Sequence, residues 1–270
     1  MFGMGKNKLS TESYKGVRDF YPEDMAVQNY IFDTWKKVAK KFGYVEYGAS
    51  LLEPTELYTE KSGAEIVNEQ TFTFTDRGDR SVTLRPEMTP TLARMVAARR
   101  NNLKFPLRWF SIPNLFRYER PQRGRKREHW QLNCDLLGIA DESADQEIIM
   151  LAYNIMKEFG AKDDDFEIRL NFPTGKKEEL EAFAKKLSEA GIRNTKIDET
   201  LARGQAYYTG IVFEIFDTDP ANSRSICGGG RYDNLLRIFD VEPSPTVGFG
   251  MGDITIRDFL ETHNLPLCEK

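Results

Sequence analysis

Residues 129–139 read as a strand, and from 130 to 136 the chain alternates in period two. Trp130, Leu132, Cys134 and Leu136 face one way, and Gln131, Asn133 and Asp135 face the other. Such a stretch can only be a strand, and its polar row is costly inside a sheet unless it meets water or a polar ligand. Its neighbours fit hairpins. Phe72 and Phe74, then Val82 and Leu84, alternate around Asp76-Arg77-Gly78-Asp79. Strands over 107–115 and 129–139 flank a basic loop at 119–128, and strands over 211–216 and 225–227 flank Asp219-Pro220-Ala221-Asn222. Extended segments are also expected at 44–52, 166–170 and 246–250. Val27, Ile31, Trp35, Val38 and Phe42 recur at helical spacing over 24–42, closed by Gly43. Further helices are expected over 90–100, around Ile148–Phe159, around Leu180–Leu187, over 231–239 and over 253–262. Hairpins with helices at intervals predict an α+β fold, a largely antiparallel sheet flanked by helices, rather than a doubly wound α/β sheet.

Composition narrows the function classes. The 270 residues are 40% hydrophobic and 30% charged, enough for a sizeable core and unlike a disordered chain. No apolar run approaches the ~18 residues of a membrane helix. The polar segment 1–14 lacks the apolar centre of a secretory leader, and Cys134, Cys227 and Cys268 form neither a disulfide framework nor a metal spacing. A reduced, cytoplasmic protein is expected. With His129 and His263 as the only histidines, a His-rich metal site is not expected. The net charge is −4, yet residues 94–127 carry eleven Lys or Arg and one acid, Glu119. A local basic stretch in an acidic chain suits a phosphate site; a solvated face is the other way to read it.

The densest part of that stretch is Phe116-Arg117-Tyr118-Glu119-Arg120-Pro121-Gln122-Arg123-Gly124-Arg125-Lys126-Arg127. A strand ending in Arg, then a basic loop, then a second strand, suits a nucleoside triphosphate, because guanidinium pairs with phosphate bidentately. A basic hairpin tip on RNA phosphate remains the alternative. The polar row Gln131, Asn133 and Asp135 follows directly, and Asp135 could hold an N–H-bearing group. Arg85-Pro86-Glu87-Met88-Thr89 puts an acid and a hydroxyl at a strand-to-helix turn. Gly228-Gly229-Gly230 and Gly248-Phe249-Gly250-Met251-Gly252 permit close backbone approach to a ligand. Neither is a P-loop or a dinucleotide fingerprint.

Taken together these motifs resemble the catalytic domain of histidyl-tRNA synthetases, a class II aminoacyl-tRNA synthetase family. The likeness runs from Lys15-Gly16-Val17-Arg18-Asp19 to the last helix. The helix from Asp24 and the segment to Pro54 resemble motif 1, residues 117–135 motif 2, and 248–252 motif 3. Ala202-Arg203-Gly204-Gln205-Ala206-Tyr207-Tyr208 resembles a histidine-specific signature usually written Arg-Gly-Leu-Asp-Tyr-Tyr, with Gln205-Ala206 in place of Leu-Asp. Gly229-Gly230-Arg231-Tyr232-Asp233 resembles its companion. After Gly252 the chain reads Asp253-Ile254-Thr255, so Thr255 stands where the family carries arginine.

The resemblance implies one class II catalytic domain over 1–270, a shortened insertion region at 163–198 with a tight turn at Asn171-Phe172-Pro173-Thr174-Gly175, and no C-terminal anticodon-binding domain. It implies ATP and Mg²⁺ as cofactors, the metal without a direct protein ligand. L-histidine, tRNA(His) held weakly, and a second copy of the chain across motif 1 are the implied partners. Arg117 would bind the α-phosphate and the histidine carboxylate, with Arg203 completing the catalytic pair. Glu119 and Arg125 would hold adenine and the outer phosphates. Glu87, Met88, Thr89, Gln131, Asp135, Arg203, Tyr207 and Tyr208 would line the histidine site, with Asp135 and Tyr208 on the imidazole. A non-catalytic, synthetase-like regulatory subunit of ATP phosphoribosyltransferase is the alternative the resemblance leaves open.

Overall fold

The alternating strand forms over Glu128–Leu137 (β7) and holds the middle of the larger sheet. The structure is a computed structural model and describes residues 9–59, 70–173, 175–201 and 208–268. Before β7 come helix α1 (Pro22–Lys41), strands β1 (Val45–Glu46) and β2 (Leu52–Pro54), and the short helix α2 (Glu56–Thr59). The hairpin β3 (Phe72–Thr75)–β4 (Ser81–Leu84), helix α3 (Thr89–Arg99) and strands β5 (Leu107–Ser111) and β6 (Asn114–Phe116) complete the first half. After β7 follow α4 (Ser143–Glu158), β8 (Phe166–Asn171), α5 (Lys177–Glu189), β9 (Thr195–Ile197), β10 (Val212–Asp217), β11 (Cys227–Arg231), β12 (Thr246–Gly252) and α6 (Asp253–Thr262).

Among the described residues the large sheet runs β1-β5-β7-β12-β11-β10-β8-β9, with β6 pairing the outer part of β7. Its ladders are antiparallel except for β1–β5 and β8–β9 at its two ends. A second sheet, β2-β4-β3, is antiparallel throughout. The α+β expectation holds.

Helix α1 begins with Pro22 in its first turn beside Glu23 and Asp24, and ends on Lys40 and Lys41, each favouring the helix end it occupies. Gly43, at φ +80°, turns the chain out of it. Its apolar stripe, Ile31, Trp35, Val38 and Ala39, is fully buried in the core shared with α4 and with Leu132, Cys134 and Leu136 of β7. The protomer's own core thus covers this stripe without a second subunit.

Other expectations shift. The strand expected over 107–115 breaks into β5 and β6 at Pro113, which has no N–H for the ladder. Residues 163–198 are woven into the large sheet: β8 pairs with β10 over six residues and β9 pairs with β8. The strand expected over 225–227 instead runs Cys227–Arg231 and takes in Gly228 to Gly230, and the helix expected from residue 231 is a 3₁₀ turn over Leu235–Phe239.

Two buried polar ties hold the layers together. Asp253, at the start of α6, accepts Arg18 Nη2 at 2.6 Å, Gln28 Nε2 at 3.2 Å and the Trp130 backbone N–H at 2.9 Å. Arg231 turns from the sheet toward α4, where its Nη2 meets Asp145 Oδ2 at 2.6 Å. Its Nε reaches the two Asp145 oxygens at 3.1 and 3.2 Å. Removing one member of such a pair strands a buried charge. Asp145→Ala is expected to lower unfolding free energy by about 3–5 kcal/mol in urea titration, and the apolar double variant Asp145→Leu/Arg231→Met to recover most of it.

Candidate active site

The odd-numbered face of β7 is the floor of a cleft of about 430 Å³. His129, Gln131, Asn133 and Asp135 all line it. The next strand makes room for them. In the β7–β12 ladder Asp135 faces Gly248, Asn133 faces Gly250 and Gln131 faces Gly252. A Cβ on Gly248 would stand 2.5 Å from Asp135 Oδ1, and one on Gly250 would run into the Gln131 amide. The alternate glycines of β12 thus let polar side chains from β7 lean across the neighbouring strand.

Asp135 sits fully buried at one end of this floor, accepting a short hydrogen bond from the Tyr232 hydroxyl. Burial pushes its carboxyl up to about 7, against the pull of that hydrogen bond. Tyr208 stands edge-on to Tyr232, ring centroids 6.1 Å apart, and also lines the cleft. His129 is driven the other way, down to about 3, by burial and by the charges of Arg117 and Arg18, so its imidazole is neutral at physiological pH.

The turn after β4 brings Glu87 and Thr89 to the wall. It is braced by buried Arg85, which donates from Nε to Asn114 O at 3.0 Å and from Nη1 to Ala49 O at 2.9 Å and Ser50 O at 3.2 Å. Met88, expected in the histidine site, points into the core instead and is 1% exposed. An apolar side chain between two polar ones at a helix start anchors the turn. Arg117 reaches the same turn, its Nε donating to Pro86 O at 2.9 Å.

Across the cleft, the basic loop is tightened by paired backbone bonds between Gln122 and Arg125, both 3.0 Å, with Gly124 at φ +70°. Glu119 and Arg125 bind each other at 2.6 Å, and both line the cleft with Lys126. Not every cation of the loop faces the cleft. Arg123 donates to Asn222 Oδ1 at 3.0 Å and Thr262 Oγ1 at 3.4 Å. Arg127 donates to Tyr14 Oη at 3.0 Å and lies 3.9 Å from the Tyr118 ring centroid. These two hold the loop in place. Thr255 turns its hydroxyl to Ile226 O at 3.2 Å and Gly252 O at 3.3 Å, and Arg257 is engaged by Asp24 and Glu261, so neither brings a cation to the cleft.

Of the residues singled out in sequence, the cleft thus gathers Glu87, Thr89, Arg117, Glu119, Arg125, Gln131, Asp135 and Tyr208. Arg203 and Tyr207 lie outside the described residues. His129, Glu214, Phe216, Arg224 and Tyr232 are further wall residues that the motifs did not single out for the site. His129 shares the parity of the polar row, and that signal was available.

A carboxylate at one end of a polar cleft and a cluster of cations at the other suit a small zwitterion joined to a polyanion. The family model for histidyl-tRNA synthetase matches residues 16–174 and 171–253. The chain belongs to the histidyl-tRNA synthetase family. With the family it takes its place among the aminoacyl-tRNA ligases.

A histidine–tRNA ligase of Leptospira biflexa is 41% identical over an alignment of 335 residues, covering 97% of this chain and 77% of the relative. Apo histidyl-tRNA synthetase of S. aureus superposes with a TM-score of 0.80 at 27% identity, covering 95% of this chain and 72% of that one. A Bacillus halodurans protein described as an ATP phosphoribosyltransferase regulatory subunit/histidyl-tRNA synthetase shares the fold with the same TM-score, 0.80, at 23% identity, covering 95% of this chain and 84% of its own. The two matched segments of the family model meet at residues 171–174, between β8 and α5, and the Leptospira alignment is longer than the 270 residues of this chain. The relative therefore carries residues inside the aligned span that this chain does not have.

The state of Asp135 can be read without substrate. Its folded value, about 7, lies above the ordinary 3.8, so the native protein holds a proton that the unfolded chain releases. Stability from this group is complete below about 4 and is lost as pH rises toward 7. Asp135→Asn keeps an acceptor for Tyr232 and carries no charge. In urea unfolding it is expected to lose less stability than the parent between pH 5 and pH 8; equal losses would place the carboxyl's titration at its ordinary value.

Proposed function

We propose that the chain activates L-histidine with ATP, giving histidyl-adenylate and pyrophosphate, and then passes the histidyl group to the 3′ end of tRNA(His). The observation that carries this reading is the polarity of the cleft: buried Asp135 with Tyr208 and Tyr232 at one end, Arg117, Arg125 and Lys126 along the other. Histidine would enter with its imidazole on Asp135 and Tyr208 and its amino group on Glu87 and Thr89. Gln131 is the remaining floor contact. A pocket built around hydrogen bonds to both ring nitrogens rejects analogues that leave those groups unpaired.

In this reading the histidine carboxylate oxygen attacks the α-phosphorus in line. A new oxygen–phosphorus bond forms as the bond to the bridging oxygen breaks, and pyrophosphate carries away the electron pair. No proton moves and no covalent enzyme intermediate is required, so catalysis consists of positioning and charge stabilisation. Arg117, anchored on Pro86 O, would hold carboxylate and α-phosphate together. Arg203 is assigned the charge that develops on the five-coordinate phosphorus. Glu119 and Arg125 would receive adenine and the outer phosphates, exchanging their mutual ion pair for the nucleotide. Among the described residues no three His, Cys, Asp or Glu side chains are grouped to hold a metal. The donor set suits Mg²⁺ carried on the phosphate oxygens, where it would neutralise their charge.

We further read 1–270 as one catalytic domain whose insertion is cut short near the 171–174 junction. The tRNA partner is assigned weak binding. The chain carries a net charge of −4, and Arg123 and Arg127 of the basic stretch are spent on internal contacts. A homodimer would cover Val45 and Leu52, which are 64% and 45% exposed on the segment that resembles motif 1. No helix among the described residues is long and apolar enough to cross a membrane, and a cytoplasmic site of action is part of the proposal.

Histidine-dependent exchange of pyrophosphate into ATP tests the reading without tRNA; a parent protein inactive in this assay would favour the regulatory-subunit alternative. Arg203→Ala is expected to fold normally and lose exchange about 10²–10³-fold, the usual cost of one transition-state contact. Asp135→Ala should raise the histidine requirement about 10- to 100-fold, as expected for a hydrogen bond to a buried, partly charged group, with the ATP requirement nearly unchanged. Equal weakening of both substrates by Asp135→Ala would make that carboxylate a support of the fold alone.

A further inference from the structure

We infer that Arg224 is a ligand of the nucleotide's polyphosphate tail, joining Arg125 on it from the β10–β11 turn. The inference rests on the proposed use of ATP and assigns one wall of that same cleft.

Arg224 lies on the turn between β10 and β11, half-buried and facing the cleft. The turn is fixed on both sides. Asn222 Nδ2 donates to Asp217 Oδ2 at 2.7 Å and Thr262 Oγ1 at 3.0 Å, and Ile226 N donates to Ile215 O at 2.8 Å. The side chain is therefore presented from a defined place. A Cβ built on Gly124, at the tip of the basic loop, would stand 3.1 Å from Arg224 Cδ and 3.6 Å from Thr255 Cγ2. Loop tip, turn and first turn of α6 meet there.

Among the described residues no hydrogen bond or ion pair engages the Arg224 guanidinium. The nearby carboxylate, Glu119, already holds Arg125 at 2.6 Å. Burial, and then the like charge of Arg125, depress the Arg224 pKa. A cation kept beside Arg125 and Lys126 with no carboxylate of its own is repelled until an anion joins them. Guanidinium groups presented together from the basic loop and from the β10–β11 turn suit an anion with several charged oxygens, which each can bind bidentately.

Position along the floor selects which part of the nucleotide this is. Gly248 of β12 faces Asp135, whereas Gly252 abuts Thr255, whose hydroxyl would be 3.3 Å from a Cβ there. The four-residue step between these glycines spans roughly 13 Å of strand. Arg224, which meets Thr255 around Gly124, is thus at the far end of the floor from Asp135. The outer phosphates are the polyanion that reaches it. Neither Thr255, bound to backbone, nor Arg257, bound to Asp24 and Glu261, supplies a cation at this end.

The test compares ATP, AMP and inorganic pyrophosphate as ligands of the full chain by calorimetry, alongside pyrophosphate exchange, for the parent, Arg224→Ala and Arg224→Lys. Arg224→Ala is expected to weaken ATP and pyrophosphate about 10- to 100-fold, the range for a charge-assisted bond, while AMP binding stays at the parent level. In exchange, the KM for ATP should rise and the KM for histidine should not, and Arg224→Lys should recover part of the loss. Should Arg224→Ala fail to fold, Arg224→Lys still decides the matter, because a shorter reach without bidentate geometry should weaken ATP over AMP. AMP weakened as much as ATP would move Arg224 to the base or ribose and overturn the assignment. A parent that binds ATP beside variants that bind it equally well would also overturn it, with the adenylation reading intact. A parent that binds no ATP would take down that reading and this inference with it.

Discussion

Everything at the cleft depends on the pairing of β7 with β12. A row of polar side chains can be buried on one face of a central strand only if the adjacent strand leaves space above it. Gly248 and Gly250 leave that space, and the register sets them opposite Asp135 and Asn133. The other face of β7, with Leu132, Cys134 and Leu136, carries the core that fixes the strand. One ladder therefore serves as a wall of the hydrophobic interior and as the floor of a polar site.

The electrostatics follow from that division. Among the described residues no cation pairs with Asp135, which is held by Tyr232 in surroundings that favour its protonated form. Cations gather at the opposite end, and Arg125 is steadied by Glu119. A cleft so polarised discriminates by charge along its length. The arginines that face away are equally necessary, since Arg85, Arg123 and Arg127 hold the turn and the loop from which the inward groups project.

Much of this was legible in the sequence where period and turn chemistry are local. The alternation of β7, the 72–84 hairpin and the helix starting near Asp24 all form as read. So does the gathering of Glu87, Thr89, Gln131 and Asp135, although Met88 between the first two belongs to the core. What escaped was tertiary. A basic loop does not reveal which arginines turn inward, because Arg123 meets Asn222 and Arg127 meets Tyr14 across long stretches of chain. Arg224 sits in what reads as an ordinary turn, and only the folded path brings it to Gly124. The three-residue β9 is too short to show a period, and Gly228–Gly230 have no side chains to show one; strand formation there is dictated by β10 and β12 on either side.

The ladder that makes the floor joins Gln131 to Gly252, residues far apart along the chain. No short fragment contains the site, and the contacts that create it are of high sequence separation, the kind that slows folding. Ligand affinity is then a property of the completed sheet alone. A bound nucleotide or amino acid would draw on the global folding equilibrium rather than on a local one, protecting strands and helices distant from the cleft against unfolding as effectively as its own walls.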